Sequence, residues 1–192
     1  MELEAHLGGH GGKTHTDEGT LRWAINALGI QSMLDIGCGT GGMVELANNL
    51  GVHAHGLDGD YTLKRYDDTK FTIHDFTNGP APISDNFDLA WSVEFVEHVY
   101  EKYIPNYVKA MQKCKFLIMT YAPVGHGGHH HVNENTEEYW IDTMSQYGFK
   151  YFKDATNQMR NHSTMGSTNK ERKKFGFLKK TGLLFKNARS SN

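Results

Sequence analysis

The sequence predicts a doubly wound α/β domain with a mainly parallel β-sheet. Short apolar runs alternate with amphipathic segments along its 192 residues, and this alternation is typical of parallel sheets with helices on both faces. A glycine run, GCGTGG (37–42), directly follows the first apolar run. The other polar motifs also follow predicted strands, so they belong at the carboxyl edge of the sheet, where such folds bind ligands. A chain of this length favours one domain, 1–192.

The first helix is predicted over 16–29, after an N-terminal arm. Thr16 is the expected N-cap, and Gly29 is expected to end the helix. Residues 1–15 are rich in glycine and histidine and predict a flexible arm. Such an arm can close over a bound ligand, with Lys13 and His15 as its candidate contacts.

The remaining elements follow from the apolar runs and the glycines between them. Strands are predicted at 31–37, 52–60, 70–75, 86–93, 115–122, 149–156 and 181–187. Helices are predicted at 43–51, 101–114 and 136–148. The stretch between the second and third strands is short and polar, with room for a helical turn or two.

Composition and charge exclude several classes of protein. The hydrophobic fraction is 38% and the net charge is −2, values typical of a folded chain that does not coat nucleic acid. We expect no membrane span, because no apolar run approaches the length that a span needs. The N-terminus has no signal-peptide pattern. Cys38 and Cys114 lie far apart in apolar stretches and suit reduced thiols, which favours a cytoplasmic location.

The first glycine motif predicts a nucleoside-binding end of the sheet. Asp35 stands two residues before Gly37-x-Gly39-x-Gly41, and Asp58 ends the second strand. Glycines there let a ligand approach the backbone, and a carboxylate at the second strand end can hold ribose hydroxyls. Nicotinamide oxidoreductases share this layout, but an acid at position 35 would repel their pyrophosphate. S-adenosylmethionine has no phosphate and carries a cationic amino group, so it fits better.

Three stretches resemble class I S-adenosylmethionine-dependent methyltransferases of the small stand-alone type. They are MLDIGCGTGG (33–42), GLDGD (56–60) and FDLAWSVEFVEHV (87–99), and the resemblance extends over residues 16 to 187. It implies a Rossmann-like, seven-stranded sheet of order 3-2-1-4-5-7-6 with the last strand antiparallel. It also implies specific cofactor contacts: the glycines Gly37, Gly39 and Gly41, and Asp58 on the ribose.

The resemblance implies further residues around the cofactor. Asp75 matches the position that meets the adenine amino group, and Phe76 could stack on the adenine. Trp91, at the end of the fourth strand, is expected to line the pocket. Asp35 either meets the amino group of the cofactor or only orders the glycine turn.

The segment after the fourth strand predicts the acceptor end of the site. It contains Glu94-x-x-Glu97-His98, which would share one face if a helix begins there. Two carboxylates on one face repel each other unless a divalent metal, a lysine or an arginine lies between them. The loop VGHGGHHHV (124–132) follows the neighbouring fifth strand, so one of its histidines, His131 first, could add a ligand.

This motif resembles two lineages of metal-dependent O-methyltransferases. They are the small-RNA 3′-terminal 2′-O-methyltransferases and, less closely, the ubiquinone-pathway O-methyltransferases. The resemblance implies a divalent metal (Mg, Mn, Fe, Co or Zn) on Glu94, Glu97, His98 and His131. Two alternatives stay open at this point: metal-free catalysis with His98 or His131 as the base, and a purely structural role.

The predicted function is transfer of the sulfonium methyl group to a hydroxyl on a small molecule or sugar. Other acceptors stay open, namely a ribose 2′-hydroxyl of RNA or a nitrogen, and so does a non-catalytic S-adenosylmethionine-binding module. RNA is less favoured because the chain is not basic overall. A basic loop is predicted over 160–180, between the last two strands. It would be either a solvated loop or a contact for phosphate.

Overall fold

The computed structural model describes residues 3–8, 14–166 and 176–189. Seven strands lie in this part of the chain: β1 Ser32–Ile36, β2 His53–Asp58, β3 Phe71–Ile73, β4 Phe87–Ser92, β5 Cys114–Met119, β6 Phe149–Tyr151 and β7 Leu183–Asn187. They form one sheet in the order β3-β2-β1-β4-β5-β7-β6. β7 pairs antiparallel with both β5 and β6, whereas the other pairs are parallel. The predicted order and the antiparallel last strand are confirmed.

Helices cover both faces of this sheet. They are α1 Glu18–Leu28, α2 Gly42–Asn49, α3 Ile104–Met111, α4 Glu137–Gln146, α5 Lys153–His162 and α6 Phe177–Thr181. Alternate strand residues point to opposite faces, so Leu34 packs with α3 and α4 while Met33 packs with α1 and α2. No helix in the described residues is long and apolar enough to cross a membrane.

The start of α1 corrects one prediction. The N-cap is Asp17 and not Thr16, because the Asp17 carboxylate accepts the backbone N–H of Thr20 at 2.9 Å. The same buried carboxylate also accepts the backbone N–H of Thr164 at 2.9 Å. Asp17 therefore joins the start of α1 to the segment that follows α5. Gly29 ends the helix in the left-handed conformation, as predicted.

Two predictions near the C-terminus are wrong in part. The strand predicted over 149–156 ends at Tyr151, and α5 begins at Lys153. The basic loop predicted over 160–180 is helical at both ends, since α5 runs to His162 and α6 begins at Phe177. Residues 167–175 of that segment lie outside the described residues.

Candidate functional site

A cavity of about 360 Å³ opens at the carboxyl edge of the sheet. Its wall includes Gly37, Gly39, Asp58, Asp75 and Phe76. These residues come from the ends of β1, β2 and β3, as the parallel topology requires. Most of the residues predicted to bind the cofactor therefore surround one space.

The glycine turn after β1 needs its glycines for two reasons. Gly37, Gly39 and Gly41 have φ values of 79°, 53° and 87°, in the left-handed region. A Cβ at Gly37 would also lie 2.5 Å from the ring of Phe95. Gly41 differs from the other two, because it is the N-cap of α2 and packs against Phe71. It is not among the described residues that line the main cavity.

Asp58 is held in place by the turn that it faces. Its Oδ2 accepts the backbone N–H of Gly39 at 2.8 Å, and its Oδ1 accepts that of Asp60 at 2.8 Å. The buried guanidinium of Arg65 lies 3.6 Å from Asp58 Oδ1 and donates to the Gly39 carbonyl at 3.2 Å. We did not predict Arg65 from the sequence. The one signal was a single arginine within the short polar segment between β2 and β3.

A smaller cavity of about 60 Å³ adjoins the glycine turn on the other side. Asp35, Trp91, Glu94 and His15 line it, so the predicted His15 contact lies beside the site, while Lys13 lies outside the described residues. Burial raises the pKa of Asp35 well above its usual value, and the charge of Asp58 raises it further. A cationic ligand group in this cavity would offset both effects.

The far end of the main cavity is built around Asp75. Its carboxylate accepts the backbone N–H and the hydroxyl of Thr77, both at 2.8 Å, and so caps the turn after β3. His6 Nε2 lies 3.1 Å from the same carboxylate. These bonds outweigh the effect of burial and lower the pKa of Asp75. The ring of Phe76 is buried against Phe95 and Tyr107.

Residues 3–8, which we call the strap, form part of the cavity wall. Glu4, His6, Leu7 and Gly8 all line the space. Leu7 lies against Gly59, where a Cβ would come within 2.4 Å of its side chain. Part of the arm predicted over 1–15 therefore has defined contacts, while residues 1–2 and 9–13 lie outside the described residues.

The helix considered for the start of the acceptor motif does not form. Glu94 has a φ of 55°, and only Val96–His98 make a short 3-10 turn. The backbone N–H of Glu94 donates to Thr120 Oγ1 at 2.8 Å, which holds the left-handed conformation. Glu94, Glu97 and His98 therefore do not share one helical face.

Three of the four predicted ligands nevertheless converge. One ligand atom each from Glu97, His98 and His131 lie within 4.8 Å of one another. The backbone carbonyl of Glu97 accepts the N–H of Val132 at 2.9 Å, which fastens the loop of His131 to the turn after β4. Glu94 lies outside this group of three but beside Glu97, so the predicted set of four is incomplete.

The Glu97 carboxylate is buried, and its polar neighbours are the Glu94 carboxyl and the backbone N–H groups of Phe95 and Glu97. Neither of its oxygens has a hydrogen-bond partner in the described part of the chain. Burial raises the pKa of Glu97 well above its usual value, and the adjacent Glu94 carboxyl raises it further. Burial also raises the pKa of Glu94 to about 7, against the opposing effects of Glu97, Thr120 and Lys180. Two adjacent buried carboxyls of this kind require a shared proton or a cation.

Both imidazoles of the cluster use Nδ1 for a hydrogen bond within the chain. Nδ1 of His98 lies 2.9 Å from the carbonyl of His129, which can only accept. Nδ1 of His131 lies 3.0 Å from the Glu134 carboxylate. In each ring Nδ1 is therefore the donor, and in the neutral ring the lone pair lies on Nε2. Burial first, and then the neighbouring His131 imidazole in its protonated form, lower the pKa of His98 to about 4.

The other histidines of the loop 124–132 have different surroundings. His126 is exposed and stacks on His131 with ring centroids 6.0 Å apart. His129 Nε2 lies 3.0 Å from the Ala5 carbonyl of the strap. His130 lines the main cavity beside Tyr100. Of the four, His131 is the one that joins Glu97 and His98.

A narrow slot of about 80 Å³ also reaches this place. Tyr121, Pro123, Phe177 and Lys180 line its walls, with Glu94 at one end. Glu94 also lines the main cavity and the smaller one. The three spaces therefore meet at a single carboxyl group.

The fold and the site together define a class of protein. A Rossmann-like sheet with a glycine turn, an acid after β2 and a cavity above them is the arrangement of enzymes that bind a nucleoside-bearing cofactor. Residues 34–117, from β1 into β5, match a family model described as a methyltransferase domain. A search of curated proteins found no match.

Solved methyltransferase structures share the fold. The methyltransferase domain of bacterial CtHen1 has a TM-score of 0.54 at 16% identity, over 70% of this chain and 84% of that one. Magnesium protoporphyrin IX methyltransferase from Synechocystis PCC 6803, with bound S-adenosylmethionine, has a TM-score of 0.54 at 15% identity, over 88% and 76%. The StiE O-methyltransferase fragment, residues 961–1257, has a TM-score of 0.54 at 16% identity. The match covers 90% of this chain and 74% of that one. The match over residues 34–117 and the shared fold support the predicted class, an S-adenosylmethionine-dependent methyltransferase.

Proposed function

We propose that this methyltransferase methylates a hydroxyl oxygen of a small molecule or sugar, and that Glu97, His98 and His131 hold a divalent metal for the reaction. One observation carries the proposal. The buried Glu97 carboxylate, whose oxygens have no hydrogen-bond partner in the described residues, lies beside two imidazoles, and one of these, His98, lines the main cavity.

The residues of the cluster fit a divalent cation. Both imidazoles offer an Nε2 lone pair, and Glu97 offers two oxygens without donors. A Cβ at Gly128 would lie 2.3 Å from His131 Nε2, so the glycine keeps a bulkier side chain away from that nitrogen. Mixed carboxylate and imidazole ligands suit Mn²⁺, Fe²⁺, Co²⁺ or Zn²⁺, and Mg²⁺ less.

In methyl transfer, the cluster, Glu94 and the cavity walls would each have a separate role. A divalent cation in this cluster would lower the pKa of an acceptor hydroxyl and orient it. The hydroxyl oxygen bonds to the methyl carbon while the carbon–sulfur bond breaks, and the electron pair returns to sulfur. Glu94 would take the hydroxyl proton, and its position on the wall of all three spaces supports this role. The cavity walls would hold the reacting atoms in line.

Metal binding can be tested before the acceptor is known. We expect Mn²⁺ to bind the wild-type chain in calorimetry and to give the broadened EPR signal of a protein-bound ion. Glu97→Gln and His131→Ala should each weaken binding by about tenfold or more. The matched controls are the exposed residues Glu45→Gln and His53→Ala. Equal Mn²⁺ affinity in Glu97→Gln and in its control would contradict the metal site.

The acceptor class can be tested with a panel of hydroxyl compounds. Diphenols, free nucleosides, simple sugars and an RNA oligonucleotide with a free terminal ribose would each be incubated with S-adenosylmethionine. Mass spectrometry would follow S-adenosylhomocysteine and the methylated product. We expect an O-methyl ether of a small acceptor, lost with EDTA and restored by Mn²⁺. Methylation of the oligonucleotide alone would favour the RNA reaction, and EDTA-resistant turnover would favour His98 or His131 as a metal-free base.

A further inference from the structure

We propose that Glu134 is the positioning residue that sets the orientation and the protonated nitrogen of His131. The consequence for methyl transfer rests on the proposed function, but the orientation itself does not. Glu134 follows the histidine loop by two residues and precedes α4. It was not among the residues predicted from the sequence.

The Glu134 carboxylate accepts hydrogen bonds from the backbone of the histidine loop. Its Oε2 accepts the backbone N–H of Gly125 at 2.8 Å, and its Oε1 accepts that of Gly127 at 2.6 Å. Gly125 and Gly127 have φ values of 79° and 68°, a conformation that lets the chain wrap around the carboxylate. The loop that contains the four histidines is therefore built around one acid.

The same carboxylate reaches the imidazole of His131. Oε1 lies 3.0 Å from Nδ1, and the His131 side chain is 9% exposed. A carboxylate that already accepts two N–H groups can only accept from Nδ1, so a proton lies on that nitrogen, and the neutral ring has its lone pair on Nε2. A carboxylate behind a ligating histidine fixes its ring and raises its basicity.

His98 provides an internal comparison in the same cluster. Its Nδ1 donates to the backbone carbonyl of His129 and not to a side chain. Removal of the Glu134 side chain should therefore release His131 while the bond to His98 persists. Only one of the two imidazoles should respond to a change at Glu134.

Nitrogen-15 NMR of the histidine rings tests this directly on the metal-free protein. Multiple-bond correlation spectra show which ring nitrogen bears the proton, and His131→Gln assigns the signal. We expect the Nδ1-protonated form for His131 and His98 in the wild type. Glu134→Ala should shift His131 toward the Nε2-protonated form and leave His98 unchanged.

Glu134→Gln serves as the conservative variant, because its amide oxygen can still accept from Nδ1. We expect it to retain the wild-type pattern at His131. The matched control is Glu138→Ala, because Glu138 is exposed and, like Glu134, follows the histidine loop in the chain. The proposal is overturned if His131 is Nε2-protonated in the wild type, or if Glu134→Ala leaves its pattern unchanged. It is also overturned if His98 changes together with His131, because Glu134 would then act on the whole loop.

Mn²⁺ affinity separates this proposal from the proposed function. We expect Glu134→Ala to weaken Mn²⁺ binding by about ten- to a hundredfold, and Glu134→Gln to weaken it less. A changed His131 pattern with no Mn²⁺ binding in any variant would support the positioning role and reject the metal site. Unchanged Mn²⁺ affinity in Glu134→Ala, together with a changed His131 pattern, would support the positioning role and show that the ion binds without His131, which rejects the proposed metal site.

Discussion

At the scale of single residues, the buried carboxyl of Asp35 should make the stability of the fold depend on pH. Its carboxyl is 3% exposed and its pKa is raised by burial and by Asp58. The folded chain therefore keeps a proton that the unfolded chain has already lost. Stability contributed by the protonated form must fall as pH rises above the ordinary aspartate pKa of about 4.

Asp35→Asn should remove this dependence. We expect the melting temperature of the variant, relative to the wild type, to increase as pH is raised from about 4 toward 8. The same variant should bind S-adenosylmethionine more weakly if Asp35 meets the cofactor amino group as predicted, because the variant lacks that charge. Melting curves across this pH range and calorimetry at pH 7 would measure both effects, with the exposed Asp85→Asn as control. A melting-temperature difference that does not vary with pH would contradict the argument.

Asp58 should contribute to cofactor affinity through hydrogen bonds to the ribose hydroxyls. Asp58→Ala removes the carboxylate expected on the ribose hydroxyls and frees the N–H of Gly39. Hydrogen bonds to a charged group contribute about 1.5–3 kcal/mol, so we expect affinity for S-adenosylmethionine to fall roughly ten- to a hundredfold. Calorimetry alongside Asp85→Ala provides the measurement. Unchanged affinity would rule out the ribose assignment.

The residues that could be predicted are those that stand at strand ends. Asp35 and Asp58 were found because a parallel sheet places such positions at one edge. Glu134 and Arg65 were missed because their roles depend on how loops fold back, on the glycine N–H groups and on the Gly39 carbonyl. The spacing His131-x-x-Glu134 was the one sequence signal for the first of these.

At the scale of elements, the strap joins the two ends of the site. His6 contacts Asp75 at the cofactor end, and the carbonyl of Ala5 meets His129 of the loop that holds His131. These bonds hold the strap in place as part of the wall of the main cavity. We therefore expect a bound cofactor to leave more slowly when the strap is present.

Deletion of residues 1–8 tests the strap. We expect the dissociation rate of S-adenosylmethionine to rise about tenfold, equivalent to ~1.4 kcal/mol, with little change in the melting temperature of the unliganded chain. Stopped-flow displacement would measure the rate, and deletion of residues 190–192 is the matched control. His6→Ala should produce part of the effect. A dissociation rate equal to that of the control would show that the strap does not retain the cofactor.

Elements with an apolar stripe were predictable, and those without one were not. Within α5 only Thr156 and Met159 are buried, so its sequence offers no periodic signal and the aromatic run before it favoured a strand. Glu94 shows a second limit. Its left-handed φ is held by a hydrogen bond to Thr120, which directly follows the neighbouring β5, and local spacing does not encode this contact.

At the scale of the whole molecule, sheet order followed from alternation of strands and helices together with the family resemblance. Two core layers then place the main cavity and the cluster of Glu97, His98 and His131 on one edge of one sheet. Ligands at that edge bind only the folded chain, so each should stabilise the whole molecule. The two sites use different side chains, and their contributions should therefore separate by mutation.

Thermal unfolding with each ligand measures that separation. A ligand at a hundred times its dissociation constant should add about 2.7 kcal/mol to the stability. Glu97→Gln should keep the rise in melting temperature caused by S-adenosylmethionine and lose the rise caused by Mn²⁺, whereas Asp58→Ala should do the reverse. Glu45→Gln is the matched control, because it removes an exposed carboxylate outside the cluster and leaves every histidine in place. If Mn²⁺ stabilises Glu97→Gln as much as Glu45→Gln, the ion binds elsewhere, because only a site that includes Glu97 can lose its stabilising effect with that carboxylate.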